Sequence, residues 1–248
     1  MFLIILKFVL FIGFFLGGLL MVRKYIHHSK LELHNEVAGF VYAVIGVIYA
    51  VLLAFVVVTV WEQFTDAENQ VNKEVSHLVN IYRNADAFPD TIKVRMKKSV
   101  VNYMQIAVDK EWEAMADNKV SEEAKNAYLN IWSIHMKYNP ATEHEKFWYA
   151  ETIKELNILA ETRRYRIDCI YYDIPTFMWF VLFVGAFFTI SFGYLFGVKN
   201  PYSQAIMILI LSGVICLILI LIDALEHPFS GLIKVSDNAF RIAIEQLK

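Results

Sequence analysis

The stretch HNEVAGFVYAVIGVIYAVLLAFVVV, residues 34–58, decides the fold. From Val37 to Val60 it carries no charge and exceeds the roughly 20 residues a helix needs to cross the hydrocarbon core of a bilayer. Yet it is not built like a plain anchor. Laid out at about 100° per residue, Gly39, Ala43, Gly46, Ala50 and Ala54 fall in a narrow arc, a small-xxx-small seam of the kind that lets a second helix approach closely. Phe40, Val44, Ile48, Val51, Phe55 and Val58 occupy another side and suit lipid. Tyr42, Tyr49, Val56 and Val60 form a third strip beside the seam. A tyrosine hydroxyl deep in a span needs a partner, so this strip is expected to face protein or water. Two readings of it stand open: close packing with internal hydrogen bonds, or the lining of a pore or cavity.

Three further apolar runs accompany this one: Phe2–Val22, interrupted only by Lys7, then Ile174–Val198, then Ala205–Ile222, which ends at Asp223. No lipid-exposed backbone group can stay unpaired in a membrane, so each run is expected to be helical. The first lacks a basic start and a small-x-small cleavage site, and its charges, Arg23 and Lys24, follow it; it reads as an uncleaved span. The 248 residues are 57% hydrophobic and only 19% charged, with a mean hydropathy of +0.44, outside the range of ordinary soluble domains. A net charge of -2 gives nucleic acid no electrostatic footing. Cys169 and Cys216 lie far apart and suggest neither a disulfide framework nor a metal spacing.

The organisation that follows is all-α. Residues 1–60 hold the first two spans, 61–173 a helical soluble domain, 174–225 the third and fourth spans, and 226–248 a turn and a short amphipathic helix. Beyond Trp61, apolar residues recur at Phe64, Ala67, Val71, Val75, Leu78, Ile81 and Ala85, with no Gly or Pro before Pro89. This predicts that the second span leaves the membrane as one unbroken helix. Asp90 is expected to cap a second soluble helix, Ser121 a third, and Thr142 with Glu145 forms a capping-box pattern for a fourth that runs towards Pro175. In the tail, Phe240, Ala243, Ile244 and Leu247 share one helical side.

Four spans place both termini and the large domain on one side of the bacterial inner membrane. Arg23, Lys24, Lys30 and Lys199 on the short loops favour those loops being cytoplasmic and the domain external, whereas Arg163, Arg164 and Arg166 near the third span argue the reverse. Glu36 and Glu62 bracket the second span, as structural ends or as charged mouths of an ion path. Asp223, Glu226 and His227 are candidates for a contact with the tail or an ion site. His27, His28 and His34 share one loop but lack the spacing of a metal site. No phosphate-binding, dinucleotide-binding or zinc-protease motif occurs, and HPFSG lacks the G-x-S-x-G elbow of a hydrolase. The expectation is no enzyme and no cofactor.

The blocks HNEVAGF (34–40), AVIGVIYAVLLAFVVV (43–58), WEQF (61–64), DALEHPFSG (223–231) and VS-x-x-AF (235–240) resemble a bacterial membrane-protein family described as bestrophin-like, over nearly the whole chain. Bestrophins are oligomeric anion channels with four membrane helices per subunit, a pore along the second, and both termini cytoplasmic. The resemblance implies a homo-oligomeric ion channel with its pore at the Tyr42–Tyr49–Val56–Val60 strip and the large domain inside. The acidic calcium clasp of animal bestrophins has no counterpart beyond Asp223, Glu226 and Asp237. The implied partners are membrane lipid, further copies of the chain, and an ion whose sign is open, since acidic mouths favour cations and the family anions. The alternative is a non-conducting sensor or scaffold whose helical domain binds a ligand or partner.

Overall fold

In a computed structural model, residues 2–26 and 31–247 are described, with side chains from Ile4 onward. Among the described residues, four helices are long and apolar enough to cross a membrane: α1 (Phe2–Tyr25), α2 (Asn35–Asn84), α7 (Thr176–Phe192) and α8 (Pro201–Leu225). The chain divides into two compact units. One holds Met1–Trp61 and Ile174–Ala224; the other holds Glu62–Asp173 and Leu225–Lys248.

The membrane unit joins its helices by a few directed contacts among apolar side chains. Tyr194 donates from its hydroxyl to the Phe15 carbonyl (2.8 Å), and Gly18 leaves room for the ring, since a Cβ there would lie 3.1 Å from the Tyr194 hydroxyl. Asn35 brackets the turn after α7, donating to the Gly197 carbonyl (3.1 Å) and accepting from its amide (2.9 Å). Gln204 on α8 donates to the Phe196 carbonyl (3.0 Å) and accepts from Arg23 of α1. Asp223 meets Lys7 at 3.1 Å. Two ionisable groups within apolar helices therefore form a pair, which lowers the cost of holding either charge there.

The second unit is a helical bundle. α2 continues unbroken to Asn84 and closes in a 3-10 turn, Ala85–Ala87, as the absence of Gly and Pro predicts. Then come α3 (Asp90–Ile106), a π-helical turn (Ala107–Glu111), α4 (Trp112–Ala116), α5 (Glu122–Met136), α6 (Glu143–Asp168) and the tail helix α9 (Asn238–Gln246). Ser121 caps α5, accepting from the Ala124 amide (3.3 Å). Thr142 caps α6, accepting from the Glu145 amide (3.1 Å). Glu145 turns back to accept from the Ala141 amide (2.8 Å) and the Tyr138 hydroxyl (2.6 Å). Those bonds hold its carboxyl below the usual range, while burial and the carboxylate push Tyr138 up to about 12. At α3 the expected cap shifts by one residue. Pro89 takes the cap position and Asp90 is the first helical residue, because the Pro89 carbonyl accepts from Ile92 and Lys93 (2.9 Å each). α9 buries Phe240, Ala243 and Ile244, three of the four residues its amphipathic pattern puts on one side.

Candidate functional site

The second span sorts its residues by burial more sharply than its composition suggests. Tyr49 is 5% exposed, Val56 7% and Val60 0%, and Leu53 is buried with them. The Tyr49 hydroxyl donates to the Leu182 carbonyl on α7 (2.9 Å). Its ring lies where a Cβ on Gly185 would stand, 2.5 Å from Cε2, so a glycine on α7 is what admits it. Tyr42, half-buried, stacks on Phe192 (5.6 Å, 13°) and meets Phe196 edge-on (5.5 Å). Tyr49 thus packs with an internal hydrogen bond and also stands on the wall of a cavity between α1, α2 and α7. A pore on an axis between subunits is lined by side chains bare in a single subunit, and in this subunit Tyr49, Val56 and Val60 are buried.

What α2 leaves uncovered is the rest of its circumference. Ala43, Ala50 and Ala54 are exposed, Gly39 and Gly46 are partly so, and a Cβ on Gly46 would meet nothing within 4 Å. Next to this seam stand Val44, Val47, Val51, Phe55 and Val58, all exposed, Phe55 to 70%. Glu36 and Glu62 are exposed as well.

Asp223 pairs with Lys7, and His227 meets Asp173 (3.3 Å) and Glu226 (4.0 Å). Glu226 is buried and His227 half-buried. His34 is exposed, and His27, His28 and Lys30 lie outside the described residues. Among the described residues no group of His, Cys, Asp and Glu could hold a metal ion.

Sequence reasoning missed a charged network in the interior of the helical unit. Arg166 and its partners Glu74 and Glu111 have no exposed surface, and neither does Tyr103. Arg166 Nε donates to Glu74 (2.6 Å) and Nη2 to Glu111 (2.6 Å). Arg163 donates to Glu111 and, through Nε, to the Tyr103 hydroxyl (3.0 Å), which in turn donates to Glu74. The Arg166 guanidinium also lies 5.0 Å from the Trp112 ring centre and 5.9 Å from that of Phe240. Burial opposes charge on Arg166, but the two carboxylates outweigh it and hold the group well above its ordinary value. Burial, reinforced by Glu74 and Glu111, pushes the Tyr103 phenol up. Two carboxylates and two guanidinium groups thus balance within one core. Arg163 and Arg166, counted as membrane-flanking charge in the sequence, are interior residues of the bundle.

One signal for this network exists. Glu74 stands in the register of Val71, Leu78 and Ile81, and Arg163 and Arg166 continue that of Leu156 and Leu159. A charge on a core-facing register must be paired or it unfolds the core. Glu111 has no such signal, because the π-helical turn that sets its direction breaks the register.

Residues 9–240 match the model of the bestrophin-like domain. The chain belongs to the bestrophin-like family. Bestrophin-like membership places it among membrane transport proteins and not among enzymes. No curated protein matches it. Its fold is similar to crystal structures of mutant forms of a bacterial bestrophin homologue from Klebsiella pneumoniae. One aligns with a TM-score of 0.75 at 14% identity, covering 97% of each chain. Another gives 0.73 at 15% identity, covering 98% of this chain and 97% of the homologue. The bestrophin-like chain is thus an integral membrane protein with four spans and a helical domain between the second and third.

Proposed function

We propose that the bestrophin-like chain assembles as a homo-oligomeric ion channel, its pore lined by the outward side of α2. The observation that carries this is the division of that helix. The tyrosine-bearing strip is used up inside the subunit, while the seam and the strip Val44–Val47–Val51–Phe55–Val58 are bare. Family membership supports a channel-type, oligomeric membrane protein in general.

The physical logic assigns each bare strip a role. Small residues let helix backbones approach closely, and without a hydrophobic drive between helices in lipid such contact is what holds an assembly together. Gly39, Ala43, Gly46, Ala50 and Ala54 therefore receive α2 of a neighbouring subunit. The adjacent valines and Phe55 then face the axis and form an apolar constriction, which passes ions when wetted and closes by dewetting. Glu62 stands one turn beyond Val58 and Glu36 near the start of the span. An acidic ring at each end raises the local concentration of cations and disfavours anions. The transported ion in this reading is a cation.

The test is ion flux from liposomes holding purified protein, with native mass measured on the same preparation. A closed ring of several copies with cation flux is the expected result, and Glu62→Gln is expected to lower the cation-to-anion permeability ratio. A monomer without flux would sink the reading.

A further inference from the structure

A cavity of about 1200 Å³ opens between α1, α2 and α7, wholly within the membrane unit. It exceeds the roughly 300–1,000 Å³ of ordinary small-molecule pockets. Its walls include Gly17, Ile48, Leu52, Phe180, Phe188 and Thr189. No polar side chain but threonine, serine and tyrosine contributes to them. Three observations say what fills it.

First, its direction. The α2 residues Ile45, Ile48 and Leu52 on its wall lie on the opposite side of the helix from Gly46, Ala50 and Ala54, with Tyr49 at the flank between them. A neighbouring subunit seated on the small-residue seam leaves this groove facing lipid. Second, its end is charged. Gly17, Met21 and Lys24 follow one another at helical spacings of four and three along α1, so Lys24 stands in line with the groove at the last turn of the span. It is exposed and, among the described residues, has no ion-pair partner. Arg23 beside it is half-buried and engaged by Gln204. Third, Thr189 on the groove wall is 4% exposed, and its hydroxyl has no hydrogen-bond partner. A buried hydroxyl left unpaired is costly, and a ligand oxygen would satisfy it.

We propose that this groove is a binding site for an anionic glycerophospholipid. The acyl chains lie against Phe180, Phe188 and Leu52, Thr189 donates to an ester oxygen, and Lys24 pairs with the phosphate. An apolar body with one acceptor inside and a negative charge at the boundary matches what the walls offer. The site is independent of conduction: it holds for a channel and for a non-conducting assembly alike.

The experiment uses the full chain purified in mild detergent, loaded from mixed micelles of phosphatidylglycerol or phosphatidylcholine and weighed by native mass spectrometry. Wild type is expected to retain phosphatidylglycerol in preference to phosphatidylcholine. A Cβ on Gly17 meets nothing within 4 Å and Gly17 lines the groove, so Gly17→Phe puts a ring into it. It is expected to cut retention about tenfold, as losing contact with roughly two methylene groups would. Gly13→Phe, equally open and outside the groove, is the folding control and is expected to bind as wild type does. Lys24→Gln should abolish the preference for phosphatidylglycerol, and Thr189→Val should weaken retention of both lipids. Equal retention by Gly17→Phe and wild type overturns the proposal. So does a wild type that keeps no lipid while Gly17→Phe changes the oligomer mass, because a second copy would then occupy the groove.

Discussion

Replacing Arg166 with methionine tests the most consequential contact in the helical unit. The side chain has no exposed surface and bonds two carboxylates at 2.6 Å each. Methionine keeps much of the volume but leaves Glu74 with only the Tyr103 hydroxyl and Glu111 with only Arg163. Breaking a buried pair by removing one partner costs about 3–5 kcal/mol, most of it the desolvation of the charge left behind. For a chain of this size each kcal/mol moves the melting midpoint by about 2–4 °C, so a fall of about 10 °C is expected. The assay is thermal unfolding of the full chain in detergent, followed by loss of the monodisperse species on size exclusion. A double variant, Arg166→Met with Glu74→Gln, removes the stranded charge and leaves the Arg163–Glu111 pair intact. It is expected to recover at least half of the loss, because replacing both members of a buried pair is often near neutral. A single variant within about 1 kcal/mol of wild type, or a double variant no better than the single, would refute the reasoning.

Other consequences can be checked with the same preparation. Gly185→Ala puts a methyl group 2.5 Å from the Tyr49 ring and is expected to cost about 1–3 kcal/mol in thermal stability; Tyr49→Phe, which loses only the bond to Leu182, should cost about 1 kcal/mol. Ala50→Leu thickens the small-residue seam and should lower the oligomer mass measured by light scattering, while the circular dichroism stays helical. His135 is buried against Tyr149 (4.4 Å between ring centres), and burial lowers its pKa from the ordinary 6.5. A lowered folded value means stability is complete above 6.5 and is lost as pH falls through the folded value. Thermal midpoints measured from pH 7 downward should therefore drop in wild type and drop less in His135→Phe.

The membrane architecture was legible because its cause is local and strong. A run such as Val37–Val60 can do little else than span, and the absence of Gly and Pro after Trp61 carries the helix on to Asn84. Ser121 and Thr142 announced their helices for the same reason: a cap satisfies its own neighbours' amides. Which side of α2 faces where was not legible. In lipid, outward and inward surfaces are both apolar, so the contrast that reveals burial in a soluble helix is missing. The need of Tyr49 for a partner was readable; that the partner is Leu182 of the same subunit was not, since it depends on Gly185 lying opposite. The buried network lay further out of reach. Glu74 and Arg166 stand 92 positions apart, and each alone looks like a solvated charge.

The measurement that bears most directly on the proposed channel is thiol block of ion flux. Single cysteines at Val51, Val58 and Tyr49 would be introduced into the chain, whose native Cys169 and Cys216 are buried. A charged methanethiosulfonate reagent would then be added to liposomes carrying a cation gradient. The account predicts rapid block at Val51→Cys and Val58→Cys and none at Tyr49→Cys, because the first two face the axis and Tyr49 is enclosed within its subunit. Block at Tyr49→Cys with Val51→Cys and Val58→Cys unaffected would contradict it.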